Sequence, residues 1–379
     1  MQNNSNRTAS QRDFTGLVAR WLDRALRQTP RVPVEQADIQ RIVVIKPCCL
    51  GDMLMATPVL RALTQSYPDA ALAVVTDSWT RPAIGSNTRV DHIIEYPDSG
   101  AIRGAVQLGW KLRQYSFDLG ISLDRSPIPA LAMRIAGIPY RAGIDSQGRG
   151  IGLTHRVTPE PDQHETELYL STLTTLGIEN LTEYPEYHVP DQSIIDIRSR
   201  VSTSNDRPLV IVHPGGAVNP GVEMLEKRWP ATSFGELVSL LLQEAGATVA
   251  LVGTETDRNA VETTKQFARG PVVDLCGQLS LEELAALIRE SSLYVGNDSG
   301  TSHLASAVGT PVVAIFGPTS PRRYRPLGRL TRVCAPEAAW KASDDADLRT
   351  ADRSNLPDIA SVPLPAVLNA CLDLLGGQD

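Results

Sequence analysis

Twice along this chain, short runs rich in β-branched residues alternate with stretches whose apolar residues recur at helical spacing. A polar segment separates the two series. In the first, "RIVVIK" (41–46) and "ALAVVT" (71–76) flank "MATPVLRALTQSYP". There Thr57 and Pro58 read as a helix start, and Val59, Leu60 and Leu63 share one face. "DHIIEY" (91–96) and "DLGISL" (118–123) follow, then a helix over 127–136 and a strand at "YRAGI". The second series runs "LVIVH" (209–213), helix 230–245, "ATVALVG" (247–253), helix 256–268, "VVDLC", helix 280–289, "SLYVG" and "PVVAIF" (311–316). Ser280 and Glu283 make an S-x-x-E capping box for the last of these helices. Strand-then-helix repetition dictates a parallel sheet covered on both faces, so the expected fold is α/β, with two Rossmann-like domains facing each other across a cleft.

A chain of 379 residues is long for one core, which agrees with two domains. The expected division is an N-terminal extension (1–40), a first Rossmann-like domain (41–190), a linker (191–208), a second Rossmann-like domain (209–335) and a C-terminal tail (336–379). The linker is polar and patternless, with room for one helical turn, and the final helix is a candidate to cross back onto the first domain. In the extension, Phe14, Leu17, Val18, Trp21 and Leu22 recur at helical spacing beside Arg20, Arg24, Arg27 and Arg31. That pattern is compatible with peripheral contact at an anionic membrane, or with a helix packed on its own domain.

A net charge of −7 argues against nucleic acid as a partner. The five cysteines (48, 49, 276, 334 and 371) show no C-x-x-C pair, so neither a disulfide framework nor a zinc site is expected. With no signal-peptide pattern and no long apolar run, the expected location is the cytoplasm.

The surplus of chemistry lies where strands of the second series end. "SLYVG" runs into Asn297, Asp298, Ser299, Gly300, Thr301, Ser302 and His303, then into a helix. A turn needs one or two such residues. Gly300 permits close backbone approach, and hydroxyls and amides at a helix start receive phosphate oxygens. Asp298 would repel phosphate, so it is placed toward sugar hydroxyls. Glu255, just past "ATVALVG", suits a ribose. Lys227, in "EKRWP", stands before a helix start, where a cation is electrostatically odd unless an anion lies nearby. In the first series Asp52 follows "RIVVI" and is a candidate general base. No G-x-G-x-x-G, P-loop or H-x-x-x-H spacing occurs, so neither a nicotinamide cofactor nor a metal is expected. Arg125 is a weaker candidate for meeting an anionic acceptor.

Taken in order and at their separations, "IKPCCLGDMLMATPVLRAL", "KRWP", "LCGQLSLEELAALI", "VGNDSGTSHLASAVGTPVVAIFGPTSP" and "RYRPLG" resemble the bacterial heptosyltransferase family, glycosyltransferase family 9. The resemblance implies the GT-B fold and an inverting, metal-independent glycosyltransferase without a cofactor. It implies a nucleotide-diphosphate sugar donor, ADP-heptose, and an acceptor in the lipopolysaccharide core or a related surface glycan, at the cytoplasmic face of the inner membrane. By position, Asp52 would be the base, Lys227 would hold the donor phosphates, Asp298 the donor sugar and Glu255 the ribose. Ser299, Gly300 and Thr301 would surround the diphosphate, with His303 close by. Two other readings share the pattern: a sugar-nucleotide epimerase, and a nucleotide-binding module without catalysis.

Overall fold

The computed structural model describes residues 33–34, 38–97, 101–179, 181–201, 207–219, 222–341 and 356–377. The amphipathic pattern expected at 14–31 lies outside the described residues.

Each alternating series forms its own sheet. The first holds β1 (Arg41–Ile45), β2 (Ala71–Thr76), β3 (His92–Glu95), β4 (Leu119–Ser122), β5 (Tyr140–Ile144) and β6 (His155–Val157), in the order β3-β2-β1-β4-β5-β6. Past β7 (Leu209–His213) comes a small antiparallel hairpin, β8 (Val218–Asn219) with β9 (Val222–Glu223). The second sheet is completed by β10 (Thr248–Leu251), β11 (Val273–Asp274), β12 (Leu293–Asn297), β13 (Val312–Ile315) and β14 (Thr331–Cys334), in the order β11-β10-β7-β12-β13-β14. Strands within both sheets pair in parallel, for example Val43 with Ala73, and Val295 with Val313. Counted from its own first strand, each sheet has the order 3-2-1-4-5-6. The order in which strands are added therefore reverses beside β1 in one half and beside β7 in the other, which opens a crevice at the carboxyl edge of each sheet.

The helices are α1 (Leu50–Ser66), α2 (Ala101–Arg113), α3 (Pro127–Ala136), α4 (Glu165–Thr174), α5 (Asp191–Arg200), α6 (Ala231–Glu244), α7 (Arg258–Phe267), α8 (Leu281–Arg289), α9 (Gly300–Ala307), α10 (Pro321–Tyr324) and, after a single helical turn at Glu337–Trp340, α11 (Leu364–Gly376). Successive strand residues face opposite ways. Val43, Ile45, Ala73 and Val75 thus meet Leu108 and Leu112 of α2 and Met133 of α3. Ile42, Val44, Leu72 and Val74 meet Met53, Leu60 and Leu63 of α1 and Leu168 of α4. Ser280 and Glu283 form the expected capping box.

Three expectations need correction. Thr57 and Pro58 lie inside α1, which begins at Leu50. Proline has no N–H for the Leu54 carbonyl, but the Thr57 hydroxyl donates to that oxygen at 2.7 Å, so the helix continues. The segment read as a patternless linker contains the ten-residue α5, held to α8 by Arg198 with Glu290 and Arg200 with Glu283, both at 2.6 Å. The final helix does not cross back. Val367, Leu368 and Cys371 of α11 join Leu237 and Leu241 of α6 in the core of the second sheet, because its apolar face completes that layer.

Candidate active site

A cavity of about 790 Å³ lies between the carboxyl edges of the two sheets. From β1 and the start of α1 it receives Cys49, Leu50, Gly51 and Asp52. From β7, β10 and β12 it receives Gly216, Glu255, Asp298, Ser299, Gly300, Thr301 and His303, with Lys227 from the turn before α6. The structure thus gathers Asp52, Lys227, Glu255, Asp298, Ser299, Gly300, Thr301 and His303 round one space.

On the first-half wall, Asp52 opens α1 and accepts from Lys46 at 2.9 Å. Burial alone would lower the Lys46 ammonium, but Asp52, Asp124 and Glu165 outweigh it and raise it above its ordinary value. Lys46 therefore remains a cation beside a carboxylate that is one-third exposed to the cavity. Negative charge at a helix start is also favoured by the helix dipole.

On the facing wall, Asp298 is 4% exposed and accepts at 2.5 Å from both Lys227 Nζ and the Thr319 hydroxyl. The cation that sequence alone made odd is thereby balanced from within the chain. Its neighbour Arg228 is balanced likewise, by Asp257 at 2.9 Å. The Thr301 hydroxyl stands 2.8 Å from His213 Nδ1, 2.7 Å from the Tyr294 hydroxyl and 2.8 Å from the Ser299 hydroxyl. Glu255 is mostly exposed at the rim and pairs with Arg258 at 2.8 Å, which lowers its carboxyl below the ordinary value.

His303 is buried, its Nδ1 has no hydrogen-bond partner, and burial lowers it, so the imidazole is neutral. It also explains a glycine. A Cβ on Gly51 would lie 2.9 Å from His303 Cδ2, and one on Gly300 would lie 2.8 Å from Leu50 Cδ2. The close approach expected of Gly300 is thus made to α1, where the first turns of α1 and α9 touch across the cleft.

Arg125 is not brought to this cavity. Its guanidinium makes a two-point ion pair with the buried Glu165, at 2.7 and 3.1 Å, and Arg323 of the second half binds the same carboxylate. Trp229 is core: its indole donates to the Val362 carbonyl at 3.1 Å. Cys48 and Cys49, for which no disulfide is expected from the sequence, are joined in one. Among the described residues, no group of three or more His, Cys, Asp or Glu is arranged to hold a metal ion.

The model of glycosyltransferase family 9 (heptosyltransferase) matches residues 105–349. Lipopolysaccharide heptosyltransferase 2 of Escherichia coli K12 is 30% identical over 353 residues, which is 88% of this chain and 98% of that protein. The chain belongs to glycosyltransferase family 9. Its fold is that of the solved E. coli ADP-heptose lipopolysaccharide heptosyltransferase II, with 25% identity, 89% and 98% of the two chains covered and a TM-score of 0.70. A family 9 glycosyltransferase from Veillonella parvula superposes with a TM-score of 0.74 at 21% identity, covering 89% and 97%. This chain is accordingly a GT-B glycosyltransferase.

Two residues of this family 9 enzyme have a part that the sequence reading does not assign. Asn297, fully buried, accepts from the Trp229 amide at 2.9 Å and donates to the Pro214 and Gly215 carbonyls. Asp257 accepts from the Gly216 and Thr254 amides, the Thr254 hydroxyl and Arg228, each at 2.9 Å, and lies 3.4 Å from His213 Nε2. Burial alone would raise Asp257; His213 and the two amides instead drive it well below the carboxylate range. These two side chains tie three strand-end loops into one wall.

Proposed function

We propose that this enzyme transfers a heptose from ADP-heptose, with inversion and without a metal, to a sugar of the lipopolysaccharide core or a related surface glycan. The observation that carries this reading is the placement of Asp52 on one wall of the cavity and Lys227, Asp298 and the α9 start on the other. Residues 41–190 serve as the acceptor half and 209–335 as the donor half.

The donor diphosphate lies at the start of α9, where Ser299, Gly300 and Thr301 offer amides and hydroxyls and the helix dipole favours an anion. A diphosphate draws Lys227 from Asp298 and neutralises it, which leaves the Asp298 carboxylate to accept from sugar hydroxyls. The apolar lining from Val252, Leu275 and Leu279 suits a flat base, with Glu255 at its rim for the ribose hydroxyls. Asp52 takes the proton of the acceptor hydroxyl as its oxygen attacks the anomeric carbon opposite the diphosphate. Charge leaving with the diphosphate is met by Lys227 and the α9 start. Because the acceptor is a glycolipid, the enzyme works in peripheral contact with the inner membrane.

The test is transfer of labelled heptose by Asp52→Ala. Turnover falls by roughly two to four orders of magnitude while ADP-heptose still binds. Near-normal turnover would refute the base; donor consumption without acceptor would instead favour an epimerase.

A further inference from the structure

Helix α2 has two faces. Ala105, Leu108 and Leu112 are buried toward the first sheet, and Gly109 lies so close to α3 that a Cβ would meet Ile135 at 2.6 Å. Turned away from that stripe are Ile102, Val106 and Trp110, four residues apart and 82%, 41% and 61% exposed. Isolated exposed apolar residues are ordinary, but three large ones aligned on one helix mark an interaction surface.

The charges beside this line decide what it meets. Arg103, Lys111 and Arg113 are all exposed, and 101–113 contains no acidic residue, although the whole chain carries −7. Lys111 donates to the Glu95 carbonyl at 3.0 Å, and the Arg113 guanidinium sits 5.7 Å from the centre of the Trp110 ring. An apolar wedge with an indole, on a helix whose only charges are positive, complements an anionic bilayer: the ring settles at the headgroups and the cations meet phosphate. A second copy of this face would bring like charges together.

Topology aims the surface. β2 and β3 are parallel neighbours, so the loop after β2 and the start of α2 leave the first sheet at the edge that also carries Asp52. Trp79, half exposed in the loop after β2, lines the cavity.

We propose that the Ile102, Val106 and Trp110 face of α2 is a membrane-docking surface that seats the enzyme on anionic phospholipid and keeps the cavity beside a lipid-borne acceptor. Adsorption stands on the helix alone; the benefit to a lipid-borne acceptor rests on the transfer reaction proposed above.

Full-length protein is sedimented with vesicles of phosphatidylethanolamine and phosphatidylglycerol, and with vesicles of phosphatidylcholine alone. The wild type binds the first and much less of the second. Ile102→Ser with Trp110→Ser weakens that binding by about tenfold or more, and Arg103→Glu with Arg113→Glu removes the preference for anionic lipid. All these variants keep the wild-type rate on a lipid-free acceptor. Undiminished vesicle binding by the serine pair overturns the proposal. So does loss of binding through Trp21→Ser and Arg24→Glu with the α2 variants unaffected, or a dimer that Trp110→Ser dissociates. If the wild type binds vesicles but transfers no heptose, the proposed reaction fails and the docking surface stands.

Discussion

Asp257 organises the second-half wall of the cavity without being a group that the proposed reaction consumes. It receives the Gly216 amide from the loop after β7, the Thr254 amide and hydroxyl from the loop after β10, and Arg228 from the turn before α6. Through His213 it reaches the Thr301 hydroxyl at the start of α9. Asp257→Asn replaces one charged acceptor oxygen with a donor, facing groups that already donate. Each unsatisfied buried donor costs about 1–3 kcal/mol, so the expected outcome is a lower melting temperature together with a raised KM for ADP-heptose and a smaller change in kcat. A variant that melts early but keeps the wild-type KM would make Asp257 structural only. The sequence shows why this residue was passed over. In "TETD" an acid three residues after threonine reads fully as a helix cap, and Asp257 does cap that turn. Lys227 and Asp298 were legible because no local role accounted for them. Asn297 has no such signal, since its partners come from loops far away in sequence.

The contact between the first turns of α1 and α9 is what brings the two walls of the cavity together. It depends on two glycines, one from each half. Gly300→Ala puts a methyl 2.8 Å from Leu50 Cδ2 and 3.0 Å from Leu50 Cβ, so the helices must separate by some tenths of an ångström. The strain falls at the junction, away from either core. Expected is a protein that folds and binds ADP-heptose but turns over at least about tenfold more slowly, given the sensitivity of transfer to alignment. Adding Leu50→Gly removes all the opposing side-chain atoms and restores much of the rate. Failure of that second substitution to rescue would show that Gly300 serves the ligand and not the helix contact. Elements with one buried face, such as α6 and α8, were readable from periodicity. By contrast α4 was not, because Thr166, Leu168, Tyr169, Leu170, Thr172 and Leu173 bury it on most sides and leave only a narrow polar stripe of Glu167, Ser171 and Thr174. Helix α2 was missed for another reason: Gly104 and Gly109 in its interior lower its helix propensity. Thr57 and Pro58 misled because the hydroxyl that would cap a helix start also replaces a missing amide inside one.

At the scale of the whole molecule, two sheets of identical strand order meet through polar contacts as well as the glycine junction. Glu165 of α4 holds Arg125 from its own half and Arg323 from the other. Burial alone would raise that carboxyl, and the two guanidiniums keep it below the ordinary range. Beside it, His164 caps α4 by accepting from the Thr166 amide through Nδ1 at 3.1 Å, and its Nε2 donates to the Arg325 carbonyl at 2.9 Å across the junction. Only the cap needs the neutral ring, because a protonated Nδ1 can no longer accept. Burial, only partly offset by the Arg325 carbonyl, lowers His164 from 6.5 to about 4. A folded-state value below the unfolded one means that unfolding takes up a proton as pH falls through this window. The stabilisation is therefore complete above pH 6.5 and is lost progressively toward pH 4, with about 2 kcal/mol gone by pH 5. The proton that opposes folding also breaks the cap of α4 at the seam between the two halves. His164→Asn can still cap but cannot take the proton, so its melting temperature should start lower at pH 7 and fall less than the wild type's on going to pH 5. Parallel falls in the two proteins would remove His164 as the titrating link and leave the acid sensitivity of the junction to its carboxylates.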